Sequence, residues 1–177
     1  MVETRTHRQV SRGRKKRRIP LRNLRTWEAV RTIVDHPRRL GELLSLLDDS
    51  DRALRGRAAA TLARLSEKHA GRLVRCVERL RDALADDSAY VRWHLVYTLG
   101  RVGARYPLRA PRFLPALVAR LEDDNRVVRV FASQSLRWVA LRRPAMVKKA
   151  FDSAKQEIPS LVGRALRSSL RKNRKRS

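Results

Sequence analysis

The sequence predicts an all-α fold, a solenoid built from stacked pairs of helices. One nine-residue sequence motif occurs three times, at Leu47–Arg55, Leu84–Arg92 and Leu121–Arg129, and consecutive copies start 37 residues apart. A fixed interval in this range is typical of repeated supersecondary units that stack on their neighbours. Apolar residues recur at helical spacing around each copy. We therefore expect about three and a half to four helix pairs, preceded by a capping helix and flanked by basic tails.

The composition is compatible with a folded core and excludes several classes of protein. Of the 177 residues, 42% are hydrophobic, which is enough to bury a core. No apolar run approaches the length of a membrane span, and the first twenty residues contain no apolar segment of a secretory signal. Cys76 is the only cysteine, so an internal disulfide is excluded, and its apolar neighbours favour a buried, unreactive thiol. These features indicate an intracellular protein, cytoplasmic or associated with a nucleoid or nucleus.

The net charge of +26 is concentrated at the two ends of the chain. Residues 1–25 contain ten basic residues and one acidic residue, and residues 142–177 contain twelve and two. The middle of the chain, residues 26–141, contains twenty-one basic and fourteen acidic residues. Such self-repulsion is typical of proteins with a polyanionic partner, although a tail that only aids solubility or targeting has the same composition.

The chain divides into a basic arm, a repeat domain and a short tail. Residues 1–20 lack apolar periodicity and contain the basic run Ser11–Arg18, which predicts a disordered arm. Apolar residues return at helical spacing from Leu21 and predict a capping helix that ends before Pro37. The repeat domain is expected over residues 21–173, with repeats at about 38–69, 70–106 and 107–141, a weaker terminal pair at 142–173, and a basic tail at 174–177.

Each repeat is expected to contain two helices. The first helices are predicted at Arg39–Leu47, Ala70–Ala85 and Pro111–Leu121, and the second helices at Asp51–Glu67, Ala89–Ala104 and Arg126–Leu141. Ser50, Ser88 and Asn125 are good N-caps for the second helices, and the acids beside them suit the positive end of a helix. The terminal pair, Pro144–Glu157 and Leu161–Asn173, lacks this acidic turn, as expected at the end of a stack.

Fifteen positions of the second helices predict the core. They recur in all three helices with spacings of four, three, one and three residues, which places them on one face of each helix. They are Leu54, Ala58, Thr61, Leu62 and Leu65, then Val91, Leu95, Thr98, Leu99 and Val102, then Val128, Ala132, Ser135, Leu136 and Val139.

The segment Pro111–Leu136 resembles a HEAT repeat. Pro115, Asp123 and the pair Val128-Arg129 match the proline of the first helix, the aspartate of the turn and the Val-Arg of the second helix. In the two earlier repeats, Leu54-Arg55 and Val91-Arg92 match the last of these features, but those repeats lack the proline. The resemblance is strong over residues 38–141, weaker over 142–173, and implies a right-handed α-solenoid of HEAT-like helix pairs. It implies no single activity, because HEAT proteins include transport receptors, scaffolds, chromatin factors and some DNA glycosylases.

The same resemblance implies a structural role for the repeated acids and arginines. In such repeats the turn aspartate and the helix arginine form a ladder of contacts. Phosphate binding by the three arginines is the alternative. The residues concerned are Asp49, Asp86, Asp123, Arg55, Arg92 and Arg129.

No catalytic or metal-binding motif is evident in the sequence. The four histidines and Cys76 show no ligand spacing, and there is no Gly-rich phosphate loop. We therefore expect no enzymatic activity and no cofactor. A HEAT-like DNA glycosylase for alkylated bases is a minor alternative, suggested by the tryptophans and the basic charge. Glu67 is the lone carboxylate on the side of the second helices opposite the core, so the acid that this chemistry needs is not evident.

The side of the second helices opposite the core is the candidate binding surface, since second helices line the inner surface of such solenoids. Trp93 and Tyr97 lie on this strip, and a basic flank beside it includes Lys68 and Arg142. Arginines interleaved with aromatic rings suit phosphate contact together with base stacking. The alternative for Trp93 and Tyr97 is that they fill the seam between repeats.

The candidate nucleic-acid-binding residues come from this surface and from the tails. Phe131 and Trp138 are excluded because we expect them to pack within the solenoid. The candidates are Arg57, Arg64, Trp93, His94, Tyr97, Arg101, Arg105 and Arg137 in the repeats, and Arg14, Lys15, Lys16, Arg17, Arg18, Arg171, Lys172, Arg174, Lys175 and Arg176 in the tails.

Two functions remain open at this point. The first is a non-enzymatic solenoid that binds DNA, RNA or a nucleoprotein assembly through its tails and its basic, aromatic inner face. The second is a protein-interaction scaffold for an acidic protein partner. Neither requires membrane insertion.

Overall fold

The computed structural model describes residues 19–174, and the side chains of residues 19–168, as two layers of helices. Residues 1–18 of the arm predicted at 1–20, and residues 175–177 of the tail predicted at 174–177, lie outside this range. The described range contains nine α-helices and no strand. The helices are α1 (Thr26–Asp35), α2 (Leu40–Ser45), α3 (Arg52–His69), α4 (Val77–Asp82), α5 (Ala89–Arg105), α6 (Leu114–Ala119), α7 (Arg126–Ala140), α8 (Pro144–Ala154) and α9 (Ser160–Arg174).

One layer contains the second helix of every pair. In it α1, α3, α5, α7 and α9 pack side by side, each against the next, while α2, α4, α6 and α8 form the other layer. The capping helix α1 therefore extends the second-helix layer at its N-terminal end. The all-α solenoid predicted from the 37-residue interval is confirmed.

The second helices begin and end within two residues of their predicted bounds, but one predicted N-cap is wrong. Asp51 rather than Ser50 caps α3, because its Oδ1 accepts a hydrogen bond from the Ala53 amide at 2.8 Å. Asn125 caps α7 as predicted, accepting from the amide of Val127 at 2.9 Å. Ser88 holds the cap position of α5 without a side-chain bond.

The first helices are shorter than predicted. Each has one α-helical segment of six residues with 3₁₀ turns around it, for example Ala70–Cys76 and Ala83–Ala85 on either side of α4. In the third repeat Pro111 lies inside a 3₁₀ segment, and Pro115 stands in the first turn of α6, where its missing N–H costs nothing. Short 3₁₀ turns commonly flank α-helices, and apolar spacing alone does not distinguish the two.

The core is as predicted from the repeated positions. All fifteen predicted residues of α3, α5 and α7 are buried. Where α5 meets α7, a Cβ on Gly100 would lie 2.4 Å from the Cβ of Ser135 and 2.8 Å from its Cα. Ser135 Oγ donates to the carbonyl of Val96 at 3.0 Å, which satisfies its hydroxyl in the core. The two helices thus approach more closely than any residue larger than glycine would allow.

Buried arginine–aspartate bonds connect the turn of one repeat to the turn of the next. Arg92 donates from Nε and Nη2 to the carboxylate of Asp123 at 2.9 and 2.8 Å. Its Nη1 donates to the carbonyls of Asp86 and Asp87, at 3.0 and 3.1 Å. The Arg92 and Asp123 side chains are only 8% and 1% exposed. One guanidinium therefore holds its own turn and the following turn together.

The same arrangement recurs along the stack and forms the predicted ladder. Arg55 pairs with Asp86 at 2.7 Å, and at the N-terminal end Arg22 lies 3.6 Å from Asp49. Arg129 keeps the two bonds to the carbonyls of its own turn. Within the described residues it has no carboxylate partner, because the terminal pair lacks the acidic turn. The ladder is structural, as the resemblance implied.

The environment of Asp123 favours the ionised carboxylate. Burial alone would raise the pKa of Asp123, but hydrogen bonds from Arg92 and from the Asn125 amide outweigh it and hold the pKa at about 2. Its ordinary value is 3.8. Because the folded state lowers this pKa, the pair stabilises the fold fully above the ordinary value and loses that contribution as the pH falls towards 2.

Gly100→Ala is expected to lower the free energy of unfolding by about 1–3 kcal/mol, because the new methyl group overpacks the contact between α5 and α7. Gly41→Ala is the matched control. Nothing lies within 4 Å of a Cβ at Gly41, so alanine there should stabilise α2 by about 0.5–1 kcal/mol. Urea unfolding of both variants measures the effect, and a destabilised Gly41→Ala or a neutral Gly100→Ala would contradict the packing.

Asp123→Asn is expected to cost about 3 kcal/mol at neutral pH, since it breaks a buried ion pair. About 2 kcal/mol of that difference should disappear between pH 4 and pH 2, where the wild-type carboxylate takes up its proton. Asp124→Asn removes an exposed carboxylate that also contacts Arg92 and should cost less than about 1 kcal/mol. Equal losses from the two variants, measured by denaturant unfolding, would refute the distinction.

Candidate functional site

A groove crosses the second-helix layer on the side opposite the core. Its cavity of about 470 Å³ is lined by residues of four successive helices, α1, α3, α5 and α7. We call it the inner groove. Its lining residues are Thr26, Ala60, Ala63, Arg64, Glu67, Tyr90, Trp93, His94, Tyr97 and Phe131.

The aromatic residues of the inner groove pack mainly on one another. The Trp93 ring stacks on His94, with centroids 3.4 Å apart, and on Phe131 of the next helix, at 4.8 Å. Tyr97 meets Phe131 and Trp138 edge-on, at 5.9 and 5.5 Å. These contacts join α5 to α7 and fill the seam between two repeats. The predicted stacking of bases on Trp93 would therefore have to displace contacts within the protein.

His94 is not on the exposed flank where the sequence placed it. It is 7% exposed, and its Nδ1 lies 2.7 Å from the carbonyl oxygen of Tyr90. Burial lowers the pKa of His94, and the contact with Tyr90 opposes that shift only in part. A neutral, buried ring of this kind supports Trp93 and is not available for a phosphate.

A second cavity lies at the C-terminal ends of α3 and α5. It has a volume of about 290 Å³, and we call it the basic pocket. Four of its lining residues are cations and one is an acid. They are Lys68, Arg101, Arg105 and Arg142, with Glu67; Ser66, Ala70, Gly71, Ala104 and Tyr106 complete the lining.

Glu67 stands between the two cavities and lines both. Its carboxylate lies 3.6 Å from Arg64 Nη1. Its main-chain carbonyl accepts a hydrogen bond from Arg101 Nη2 at 3.3 Å. The Arg101 guanidinium also lies over the Trp138 ring, 5.6 Å from its centroid. Arg101 is thus oriented by contacts on two neighbouring helices, while Lys68, Arg105 and Arg142 have no carboxylate partner in the described range.

The structure brings together only part of the predicted site. Arg64, Trp93, His94 and Tyr97 line the inner groove, and Arg101 and Arg105 line the basic pocket. Arg57 and Arg137 line neither cavity. Arg57 is exposed and donates to the carbonyl of Arg22 at 3.1 Å, and Arg137 is half-buried. Of the tail residues, Arg171, Lys172 and Arg174 lie on α9, and Arg14, Lys15, Lys16, Arg17, Arg18, Lys175 and Arg176 lie outside the described residues.

The cavities also contain cations and tyrosines that were not among the candidates chosen from the sequence, namely Lys68, Arg142, Tyr90 and Tyr106. Lys68 and Arg142 were recognised on the basic flank but were not included among the candidates. Tyr90 and Tyr106 carried no signal, since each stands alone at an end of α5. A pairing of each helix end with its counterpart 37 residues later would have found Lys68 and Arg105 together.

The remaining features of the described residues add no further chemistry. They include no group of three His, Cys, Asp or Glu residues arranged to hold a metal ion. None of the described helices has the length and apolar character needed to cross a membrane. Cys76 is half-buried rather than buried as expected, and burial raises the pKa of its thiol.

His94 is expected to make the free energy of unfolding depend on pH near neutrality. Because the folded state lowers its pKa below the ordinary 6.5, stability is complete above that value and falls as the pH drops below it. Wild-type protein should therefore lose stability as the pH falls below about 6.5, as measured by denaturant unfolding. His94→Gln should remove that part of the slope, and the exposed-site control His36→Gln should not. Parallel slopes for wild type and His94→Gln would contradict the assignment.

Comparison with known proteins supports the architecture. The HEAT-repeat family matches residues 40–137. A designed armadillo repeat protein, YIII(Dq.V1)4CPAF in complex with the peptide (KR)4, superposes with a TM-score of 0.61 and 16% identity, over 84% of this chain and 69% of that one. Another designed armadillo repeat protein, YIII(Dq)4CqI, superposes with a TM-score of 0.58 and 18% identity, over 81% of this chain and 68% of that one. No curated protein sequence matches. Since the HEAT match spans more than half of the chain, and the ladder and paired helices agree with it, this protein belongs to the HEAT-repeat family.

Proposed function

We propose that this chain is a non-enzymatic scaffold that binds nucleic acid through phosphate groups, at the basic edge of the second-helix layer. The observation that carries the proposal is the separation of charge across that layer. Eight of the fourteen acids in residues 26–141 lie in the three turns before the second helices. The opposite edge, where these helices end, carries the cations of the basic pocket.

The ladder explains why the two edges differ. Asp86 and Asp123 are occupied by arginines of the preceding repeat, so the acidic edge is largely neutralised within the protein. At the other edge Glu67 is the only carboxylate in either cavity, and it lies beside Arg64. A surface with unpaired guanidinium groups attracts a polyanion and gains affinity by releasing its counterions. Among the basic residues 35 are arginine, which suits two-point contact with phosphate.

Phosphate contact fits the geometry better than base stacking does. The Trp93 ring stacks on His94 and Phe131, and the Trp138 ring is met by Arg101 and Tyr97. Binding that uses phosphates alone does not depend on base sequence. The proposal therefore covers DNA and RNA alike, with little discrimination among sequences.

A second candidate is an acidic peptide segment of a partner protein, bound in the inner groove. The observation in its favour is that the groove runs across four helices with Arg64 on its wall and the basic pocket next to it. One similar solved structure is a designed repeat protein in complex with the basic peptide (KR)4. In this chain the cations lie in the basic pocket beside the groove, so a peptide that extends from the groove into that pocket would need acidic residues there.

The salt dependence of binding tests the first candidate. A labelled duplex of random sequence should bind at low salt, and the logarithm of affinity should fall linearly with the logarithm of salt concentration. Removing residues 1–18 should make that slope shallower by about 0.9 for each phosphate that the arm neutralises in the intact chain. The deletion stops before Ile19, because the Ile19 carbonyl accepts a hydrogen bond from Arg39 at 2.8 Å.

An acidic octapeptide of alternating Asp and Glu, used as a competitor, separates the two candidates. If nucleic acid is the partner, the peptide should displace the duplex only at concentrations far above the duplex dissociation constant. Tight binding of the peptide, together with absent or salt-independent binding of the duplex, would replace the first candidate by the second.

A further inference from the structure

We propose that the basic pocket is a discrete site for one phosphate group and its attached sugar. The inference rests on the proposed function and goes further. Diffuse positive charge would be enough for nucleic-acid binding, whereas here one defined cavity binds one phosphate group. The reason to expect an anchor is that three successive repeats deliver cations into one cavity of about 290 Å³.

The cations converge because the helices end at the same level. Lys68 lies in the last turn of α3, Arg101 and Arg105 lie in the last turns of α5, and Arg142 follows the end of α7. Arg101 and Arg105 are four residues apart, so they share one face of their helix. Their positive charge at helix C-termini is favourable for the helices themselves, which allows the cluster to exist without a bound anion.

Arg101 is already held in position before a ligand arrives. One of its nitrogens donates to the Glu67 carbonyl at 3.3 Å, and its guanidinium plane lies near the Trp138 ring. No carboxylate pairs with it in the described range, so its other N–H groups remain for an anion. An oriented guanidinium loses less entropy on binding a phosphate than a free one does.

Tyr106 and Gly71 shape one wall of the pocket. A Cβ added at Gly71 would lie 2.6 Å from the Tyr106 hydroxyl oxygen. A side chain at residue 71 would therefore force the Tyr106 hydroxyl to shift from its present position on this wall. A hydroxyl that is both donor and acceptor suits a phosphate oxygen or a sugar hydroxyl.

The size of the pocket limits what it holds. Sites for small molecules usually measure about 300–1,000 Å³, and the 290 Å³ of this pocket lies just below that range. That volume fits a phosphate with part of a sugar and leaves the base outside. An internal phosphodiester and a terminal phosphate share this chemistry. Oligonucleotides that differ only in their 5′ ends distinguish the two in the test below.

The test compares two double variants that lose the same charge from the full chain. Arg101→Gln with Arg105→Gln removes the centre of the pocket, and Arg38→Gln with Arg75→Gln removes two exposed arginines that line neither cavity. Inorganic phosphate, titrated at constant ionic strength against chloride, should raise the melting temperature of the wild type and of the control but not of the pocket variant. Trp138 emission should change with phosphate in the wild type, because Arg101 lies over that ring.

Nucleic acid provides the second readout. The pocket variant should bind a duplex about tenfold more weakly than the control variant does, with a salt slope shallower by about 0.9. Gly71→Ala, which displaces Tyr106 and leaves every charge in place, should weaken phosphate binding without changing net charge. Oligonucleotides with a 5′-phosphate or a 5′-hydroxyl then show whether a terminal or an internal phosphate occupies the site.

Each outcome decides one of the two proposals. Equal weakening by the pocket and control variants, or a phosphate effect that survives in the pocket variant, would overturn the phosphate site and leave diffuse binding. Absence of nucleic-acid binding, with a phosphate effect abolished only in the pocket variant, would overturn the proposed function and retain the site. Circular dichroism of both double variants confirms that they are folded before binding is compared.

Discussion

The guanidinium shared between consecutive acidic turns is the interaction on which the rest of the solenoid depends. Arg92 is bonded to the carbonyls of its own turn and to the carboxylate of Asp123 in the next, within a site almost closed to solvent. Charge-assisted bonds of this kind are directional, so sliding one repeat against the next breaks them. They therefore define the register in which Gly100 meets Ser135 and in which the α5–α7 seam closes.

The ladder also explains the distribution of charge. Its carboxylates must precede the second helices, because there they accept from turn amides such as that of Ser88 and receive the arginine of the preceding repeat. With the second helices aligned in this way, their C-terminal ends meet at the opposite edge, where cations are favourable. The contact that stabilises the stack thus leaves a basic edge with few acids. The proposed binding surface is a consequence of the same alignment.

The candidate site was predictable in its residue types but only partly in its geometry. Helical spacing correctly put Arg101 and Arg105 on one flank, since that depends on their own helix alone. It failed for His94, which lies against Trp93 and Tyr90 and is buried by them. Exposure of a side chain at a helix seam depends on its neighbours on the adjacent helix. For the same reason the sequence did not decide whether the Trp93 ring is free to bind a ligand. In the structure the Phe131 ring of α7 stacks on it.

The resemblance to HEAT repeats implied the structural role of the repeated Asp and Arg. The sequence pattern alone determined the all-α class, the 37-residue register and the fifteen core positions of the second helices. These follow from periodicity, because every repeat must bury the same face against an equivalent neighbour. Only the tertiary structure decided that α4 and its counterparts shorten into 3₁₀ turns, that the aromatic rings stack on one another, and that Arg101 lies over Trp138 beside the basic pocket. Those features depend on distances between side chains of different helices, and a periodic pattern along one chain does not contain them.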